Sequence, residues 1–248
     1  RAGKHVLSEK PSASTAAEAQ RVLNVQRDTG VVFMEAFHYR YHPVMDRMVE
    51  LATSGEIGDV SHVDIVMGFP LTRPSDPRWN FDLAGGSLMD VGCYAIHALR
   101  TLSTALGGTP TVIAGTAVPH EADDRVDAEL AADLTLAEGV TGHFRSSFLL
   151  QQMTFTLQLQ GSTGSAMAHN FCQPALDKRI TLIRGDDTTT EEHGDRSSYT
   201  YQLEAFARQV RQGEPSHSDA EDALAQAILM DACYTAAGLP LRPETSLR

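Results

Sequence analysis

The residues with the clearest chemical potential lie in one stretch, Gly85-Gly86-Ser87-Leu88-Met89-Asp90-Val91-Gly92-Cys93-Tyr94-Ala95-Ile96-His97. Read as a helix that opens after paired glycines, it puts Asp90, Tyr94 and His97 at i, i+4 and i+7. At about 100° per residue those three share one stripe. An acceptor, a phenol and an imidazole on one face can hold and move a proton. Ser8-Glu9-Lys10-Pro11 adds a fourth group at the end of a predicted strand near the start of the chain. The reading joins the two stretches: Lys10 and Tyr94 face one pocket, with Asp90 beside them. An ammonium favours a neighbouring phenolate, so it draws a tyrosine's pKa from about 10 toward neutrality. Tyr94 is then a general acid/base, Lys10 lowers its pKa, and Asp90 orients Lys10 or a substrate hydroxyl. The reverse assignment, Lys10 as proton carrier, stays open. So do the structural readings: a solvated strand-end lysine, an N-cap aspartate, a core tyrosine and a half-buried histidine.

The elements that must position these groups follow from pattern. Arg1-Ala2-Gly3 reads as the end of a helix, with Gly3 as its left-handed stop. His5 to Glu9 is a short strand, and Lys10-Pro11 ends it because proline donates nothing to a ladder. Thr15 with Glu18 forms a capping box for a helix that runs to about Asp28 and closes at Gly30. Val31 to Phe37 is an apolar run, read as a buried strand. The first forty residues therefore look like the end of a doubly wound sheet. Pro43 suits the first turn of a helix that ends near Ala52, before Ser54-Gly55. Val60 to Phe69 is a strand, and Pro70 to Pro77 a loop leading through Trp79-Asn80-Phe81-Asp82 into Gly85-Gly86. After the helix that ends by Gly107-Gly108, strands dominate: Thr111 to Val118, Asp127 to Leu136, Val140 to Phe148, Met153 to Gly161, Gly164 to His169 and Arg179 to Arg184. Their alternation predicts an antiparallel sheet with one packed and one wetter face. Asp186 to Ser198 reads as a polar, mobile loop. Helices over Tyr199 to Gln212 and Ser218 to Ala237 close the chain, the second with a Ser218/Glu221 capping box.

Composition narrows the function classes. The chain has 248 residues, 42% hydrophobic and 21% charged, with a net charge of −12. That charge argues against a nucleic-acid or anionic-membrane surface, which would need a basic patch. No apolar run approaches the ~20 residues that span a bilayer. The three cysteines, Cys93, Cys172 and Cys233, form no Cys-x-x-Cys and read as buried free thiols of a reducing, cytoplasmic compartment. The chain starts at Arg1 without an initiator Met, so export stays open. The ten histidines are read as lacking a zinc-ligand set, and no metal is expected. No Gly-x-Gly-x-x-Gly occurs.

Five stretches in order resemble the glucose–fructose oxidoreductase / inositol dehydrogenase (Gfo/Idh/MocA) family. They are Ala2 through Pro11, Glu35-Ala36-Phe37-His38-Tyr39-Arg40-Tyr41-His42-Pro43, Ser54-Gly55-Glu56-Ile57-Gly58, Trp79 through Gly86, and Leu88 through Tyr94. The resemblance implies an α/β fold: the remainder of a doubly wound Rossmann domain, residues 1–40, followed by an α+β domain, residues 41–248. The second domain would carry a large, mostly antiparallel open sheet, and its last helices would pack back on the first. The family's first βαβ units and glycine loop would then lie outside this chain.

The same resemblance implies hydride transfer between NAD or NADP and a sugar, polyol or related carbinol or carbonyl carbon. The residue that selects between the two cofactors sits about 20 residues past the glycine loop, so both stay open. Many members carry Asp-x-x-x-His where this chain has Asp90-x-x-x-Tyr94, which resembles the subgroup of glucose–fructose oxidoreductase, dihydrodiol dehydrogenase and xylose dehydrogenases. Carried onto this sequence, the catalytic residues are Lys10, Asp90 and Tyr94. The cofactor side is Glu9, Lys10, Pro11, Arg40 and Trp79, and the substrate side is Asp90, Tyr94 and His97. Arg40 is equally readable as a surface ion pair, and Trp79 as a core anchor. The family also implies a homo-oligomer through the open sheet face. The alternative function is a non-catalytic relative that senses a dinucleotide or sugar through protein contacts.

Overall fold

The computed structural model describes residues 2–244. The expected helix end at Arg1 lies outside them, although Gly3 does take a left-handed φ of 68°. Strand β1 (Val6–Ser8), helix α1 (Ala16–Thr29) and strand β2 (Phe33–Glu35) form one parallel unit, with Val6 opposite Phe33 and Ser8 opposite Glu35. Local chemistry explains α1. Thr15 Oγ1 accepts the Glu18 N–H at 3.3 Å, and the Glu18 carboxylate returns to Ser14 N at 2.9 Å, one residue before the cap. Gly30, at φ 64°, stops the helix.

Beyond β2 the chain makes a 3-10 turn, His38–Tyr41, and helix α2 (Pro43–Thr53). Strand β3 (Val60–Gly68) follows, then a loop of short turns, then helix α3 (Cys93–Ala105). The remaining strands are β4 (Thr111–His120), β5 (Asp123–Ala137), β6 (Val140–Ser147), β7 (Thr154–Gly161), β8 (Gly164–Ala168), β9 (Arg179–Arg184) and β10 (Asp187–Glu192). Helices α4 (Ser198–Gln212) and α5 (Ala220–Ala236) complete the fold. Eight strands form one sheet in the order β10-β9-β8-β7-β3-β6-β5-β4. Within it β3 pairs with β6 in parallel, and the other neighbours are antiparallel. This is the mixed α/β architecture with a large, mostly antiparallel sheet that the sequence predicts.

One sheet face is packed. Val63, Ile65, Met67, Leu130, Leu134, Phe144, Leu157 and Leu159 are all buried, and α3 lies against them with Ile96, Leu99 and Leu102. The alternate residues, such as His62, Asp64, His143 and Arg145, lie on the opposite, wetter face. A smaller apolar cluster, Leu23, Phe33, Ala220 and Ala223, joins α1 and β2 to α5. Asp231 Oδ2 accepts the Ala16 N–H at 2.9 Å across that contact.

Two sequence expectations fail for identifiable reasons. Part of the stretch read as a mobile loop is strand β10, hydrogen-bonded to β9 with Asp187 opposite Arg184. Gly185 (φ 58°) turns the hairpin and Thr188-Thr189-Thr190 supplies β-branched residues. As an exposed edge strand it has no apolar face to show in its pattern. The N-cap of α5 is Asp219, not Ser218: its carboxylate accepts the N–H groups of Glu221 at 3.0 Å and Asp222 at 2.9 Å. The buried Ser218 hydroxyl instead meets Tyr41 Oη at 2.8 Å.

The C-terminal arm after α5 carries a buried ion pair between Arg242 and Asp127, both side chains 0% exposed. The guanidinium also donates to Gly85 O at 2.8 Å and Arg125 O at 2.9 Å, and sits 4.0 Å from the Tyr234 ring centroid. The other Asp127 oxygen accepts Ser87 Oγ–H at 2.8 Å and Leu88 N–H at 2.7 Å. Removing one partner leaves the other charge buried and uncompensated. Arg242→Met is therefore expected to cost about 3–5 kcal/mol of folding stability by urea unfolding; a loss under about 1 kcal/mol would contradict the pinning role.

Candidate active site

Lys10 leaves the end of β1, and the ends of parallel strands are where α/β sheets build their sites. Glu35, at the end of β2, holds the loop that follows: its Oε1 accepts the Ser12 N–H at 2.5 Å. Across a gap, Gly86 sits at φ 131° against Asp127 and Arg242, where a Cβ would collide with both. From there the chain winds Leu88–Gly92 as a single π-helical turn, Cys93 N–H reaching back to Leu88 O, before α3 begins. Such turns occur mostly where function requires a reshaped helix.

The two elements meet at Lys10. Its Nζ donates to the Asp90 backbone carbonyl at 2.5 Å and lies 3.6 Å from Asp90 Oδ1. It also lies 4.8 Å from the centroid of the Tyr94 ring. The other Asp90 oxygen accepts Arg78 Nε–H at 2.7 Å. The carboxylate is thus shared by two cations, and its position inside the π turn excludes the N-cap reading. Burial lowers the Lys10 pKa, but Cys93 and Asp90 raise it more, and the net direction is upward. The ammonium is therefore held charged.

Tyr94 departs from expectation in one respect. Lys10 faces its ring rather than its hydroxyl, and burial drives the phenol pKa well up, with Cys172 and Cys93 adding to it. Tyr94 is consequently a protonated acid, not a phenol drawn toward neutrality. Its hydroxyl meets His38 Nε2 at 3.3 Å. Burial foremost, then Lys10 and His42, pushes His38 down to about 4, so that imidazole is neutral at pH 7.

Not every expected site residue arrives. His97 is 1% exposed and turned inward: Nδ1 meets Tyr39 Oη at 2.7 Å and Nε2 meets Asp222 Oδ2 at 3.1 Å. The physical reason is winding. Only Tyr94 and His97 share regular α-helix, where three residues leave them about 60° apart, and the π turn breaks the stripe before them. Arg40 pairs with Asp46 at 3.0 Å on the α2 side, facing a separate cavity with Arg100 and His217. Trp79 stacks on His120, centroids 4.2 Å apart, and meets Phe148 edge-on at 5.1 Å, as a core anchor does. Glu9 Oε2 accepts the Lys10 N–H at 3.3 Å, and Pro11 lines the cavity beside Lys10. That cavity, about 500 Å³, is walled by Lys10, Pro11, Ser12, Arg78, Gly86 and Asp90.

Sequence reasoning missed Arg78, Glu35, His38 and Ser198. Arg78 carries a signal in its place immediately before the family-like stretch that opens at Trp79. Glu35 and His38 follow the end of β2, a position that by itself invites a ligand. His38 and His42 also have the i, i+4 spacing of a ligand pair, which the reading of the histidines passed over. The structure sends them apart, because His42 Nδ1 caps α2 at Val44 N–H, 3.2 Å away. Among the described residues no three His, Cys, Asp or Glu side chains converge as metal ligands. No helix among them is long and apolar enough to cross a membrane.

Glu35 yields a pH prediction. It is buried, and among the described residues its Oε2 has no hydrogen-bond partner. Burial first, partly offset by the Ser12 N–H, raises its pKa from 4.5 to about 7. A carboxyl whose folded pKa is raised binds more protons folded than unfolded, so its contribution to stability declines as pH rises from 4.5 to 7. Glu35→Gln keeps an acceptor for Ser12 but does not titrate. Its stability relative to the parent is expected to rise by on the order of 3 kcal/mol between pH 4.5 and 8. Urea unfolding across that range checks this, and a pH-independent difference would contradict it.

Known proteins share this architecture. A family profile described as GFO/IDH/MocA C-terminal domain matches residues 45–167. The chain is 35% identical over 238 residues to D-xylose 1-dehydrogenase (NADP(+)) 2 of Haloferax volcanii, covering 95% of this chain and 71% of that protein. It is 31% identical over 242 residues to a dTDP-3,4-didehydro-2,6-dideoxy-alpha-D-glucose 3-reductase of Actinomadura kijaniata, covering 96% and 70%. The crystal structure of a 3-ketoreductase from Actinomadura kijaniata with NADP and TDP-benzene superposes with a TM-score of 0.85 at 30% identity, covering 95% of this chain and 72% of that one. An aldose-aldose oxidoreductase from Caulobacter crescentus, solved with glycerol, superposes with a TM-score of 0.84 at 25% identity, covering 96% and 71%.

Proposed function

The chain belongs to the Gfo/Idh/MocA family of NAD(P)-dependent oxidoreductases, and from that premise we propose that it moves a hydride between a nicotinamide and a carbon of a sugar, polyol or sugar nucleotide, with Tyr94 as the acid/base. The observation that carries the reading is the convergence of the Lys10 ammonium on Asp90 and on the Tyr94 ring; Lys10 and Asp90 wall the cavity, and Tyr94 is buried against Lys10 without itself forming part of that wall. The xylose dehydrogenase is named for NADP and the ketoreductase is solved with it, which favours NADP over NAD.

The residues present fit a dinucleotide at its reactive end. The cavity opens where β1 ends, and Lys10, Pro11 and Ser12 form its wall there. Lys10 and the backbone of Pro11 and Ser12 would hold the nicotinamide ribose, with the exposed Glu9 next to them in the chain. When bound, the nicotinamide supplies or accepts the hydride. Residues 1–40 bring this side of the site, and residues 41–248 bring Arg78, Asp90 and Tyr94 against it.

In the direction of reduction, Lys10 donates to the carbonyl oxygen and stabilises negative charge as it develops there. Tyr94, held protonated by its dry surroundings, delivers its proton to that oxygen. Asp90 fixes Lys10 and is itself fixed by Arg78. Oxidation of an alcohol runs the same steps in reverse, with the tyrosinate as base. Arg78 adds a cationic wall, which suits a substrate carrying phosphate or several hydroxyls.

Tyr94→Phe is expected to lower kcat about 100- to 10,000-fold in the full-length protein with little change in KM, and Lys10→Ala to do likewise. Aldoses, polyols, a trans-dihydrodiol and a nucleotide-linked keto sugar, each run with both cofactors, provide the assay. An unchanged kcat with a raised KM would remove the acid/base assignment. Dinucleotide binding without turnover on any class would instead favour a sensor.

We also propose that the open face of the eight-stranded sheet joins copies of this chain. Its polar ladder, including Asp133 bound to His143 at 2.8 Å and Glu129 to Arg145 at 2.5 Å, pairs its charges across strands rather than leaving them unmatched. Light scattering at tens of micromolar is expected to give a dimer or larger species, and a monomer there would refute it.

A further inference from the structure

Behind Tyr94 lies a group that the acid/base reading does not use. The Tyr94 hydroxyl meets His38 Nε2 at 3.3 Å, and the other ring nitrogen, Nδ1, lies 2.9 Å from Ser198 Oγ. The imidazole is buried, and Tyr199 stacks on it with centroids 4.1 Å apart and planes 28° from parallel. Two distant parts of the chain therefore fix this ring: the 3-10 turn after β2 and the first turn of α4.

A neutral imidazole has one donor nitrogen and one acceptor nitrogen, and a hydroxyl adapts to either. With the proton on Nδ1, the ring donates to Ser198 and its bare Nε2 takes the hydrogen of Tyr94. The acid is then aimed away from the cavity, and a lone pair faces the phenolate formed on proton transfer. With the proton on Nε2, Ser198 donates to Nδ1 and the ring donates to the Tyr94 oxygen. The phenol hydrogen is then released from His38, with a substrate oxygen as a stronger acceptor than the neighbouring Cys172 sulfur, and the phenolate keeps a donor.

We propose that His38 is the positioning residue for the proton of Tyr94, carrying its own proton on Nε2 while the Ser198 hydroxyl donates to its Nδ1. The proposal rests on Tyr94 being the acid. In reduction, the hydride reaches the carbonyl carbon, the carbonyl oxygen takes the Tyr94 proton, and the nicotinamide is oxidised as the carbonyl becomes an alcohol. The tyrosinate is held by His38 Nε2–H and by the Lys10 ammonium until water returns its proton. His38 gives up no proton in the cycle. This suits a ring whose pKa near 4 makes it a poor proton carrier at neutral pH.

Three readouts test this in the full-length protein. Nitrogen NMR of His38 at pH 7 reads the tautomer directly, without turnover, and Nε2–H is expected. Second, His38→Ala is expected to lower kcat about 10- to 100-fold, the worth of a hydrogen bond to a charged oxygen, and His38→Gln to recover most of it. His38→Ala should also move the rising limb of the oxidation pH profile to higher pH, because the tyrosinate is the base there and loses a donor. The other groups facing Tyr94 are unchanged in that variant: Glu9 and Lys10 beyond β1, Tyr39 in the 3-10 turn, Cys93 on α3, Cys172 after β8, and Tyr199 on α4. His42, whose charge bears on His38 from the start of α2, is also unchanged. Third, His38→Ala made on Tyr94→Phe should cost kcat nothing further, since its effect passes through the missing hydroxyl. An Nδ1–H tautomer, an unshifted limb or additive losses would overturn the proposal while leaving Tyr94 in place. Full kcat in Tyr94→Phe alone would overturn both.

Discussion

The geometry of the candidate site depends on a buried ion pair that lies outside its cavity. Asp127 lies on β5, next to the edge strand β4 of the large sheet, and Arg242 lies on the arm after the last helix. Between them they satisfy Gly85 O, Leu88 N–H and the Ser87 hydroxyl. Those three groups belong to the residues that start the π turn, so the pair determines where that turn begins. Asp90 stands two residues further on, and its carbonyl is what the Lys10 ammonium reaches. A charge buried this deeply is costly unless fully partnered, and here each partner makes several bonds. The fold has therefore put its most demanding electrostatic interaction directly beneath the segment that must not shift.

The same arm explains why the site holds together across the chain. Ser14, just after the Lys10-Pro11 loop, donates its hydroxyl to Pro243 O at 2.8 Å, one residue beyond Arg242. Arg21 on α1 pairs with Glu244 at 2.6 Å. Helix α5 lies on α1, and Glu35 draws in the Ser12 backbone from below. Lys10 thus reaches Asp90 from a loop tied at one end to β2 and at the other to the C-terminal arm. The exposed ion pairs among these contacts add little energy individually. Their value lies in geometry, since a lysine meant to meet both a carbonyl and an aromatic face tolerates little displacement.

Much of the architecture was legible because burial writes itself as periodicity. The alternation of Phe155, Leu157 and Leu159 marks β7, and Arg179–Arg184 reads as the strand it is. Lys10, Asp90 and Tyr94 were legible as a group because a lysine before proline and a short acid–phenol spacing are unusual places for those residue types. What stayed hidden has no local pattern. Strand β10 is polar on both faces, so neither periodicity marks it. The π turn arises from contacts with Asp127, forty residues away, and with it goes the stripe that placed His97 in the pocket. His38 and Ser198 are 160 residues apart, and no local spacing connects them.

The pocket also accounts for a tyrosine at position 94. Desolvation penalises whichever form is charged. For an imidazole that form is the protonated one, and the neighbouring His38 shows the outcome: burial and Lys10 bring it to about 4. A histidine held the same way at position 94 would be neutral at pH 7 and would offer a developing alkoxide the N–H of an uncharged ring rather than the proton of an imidazolium. For a phenol the charged form is the deprotonated one, so the same burial keeps the proton in place. An environment that leaves an imidazole uncharged therefore keeps a phenol protonated. The cost falls on the tyrosinate left after transfer, which such a pocket destabilises unless a cation and a hydrogen-bond donor stand close. Lys10 over the ring and His38 at the oxygen occupy those two positions, and their arrangement follows from the choice of tyrosine.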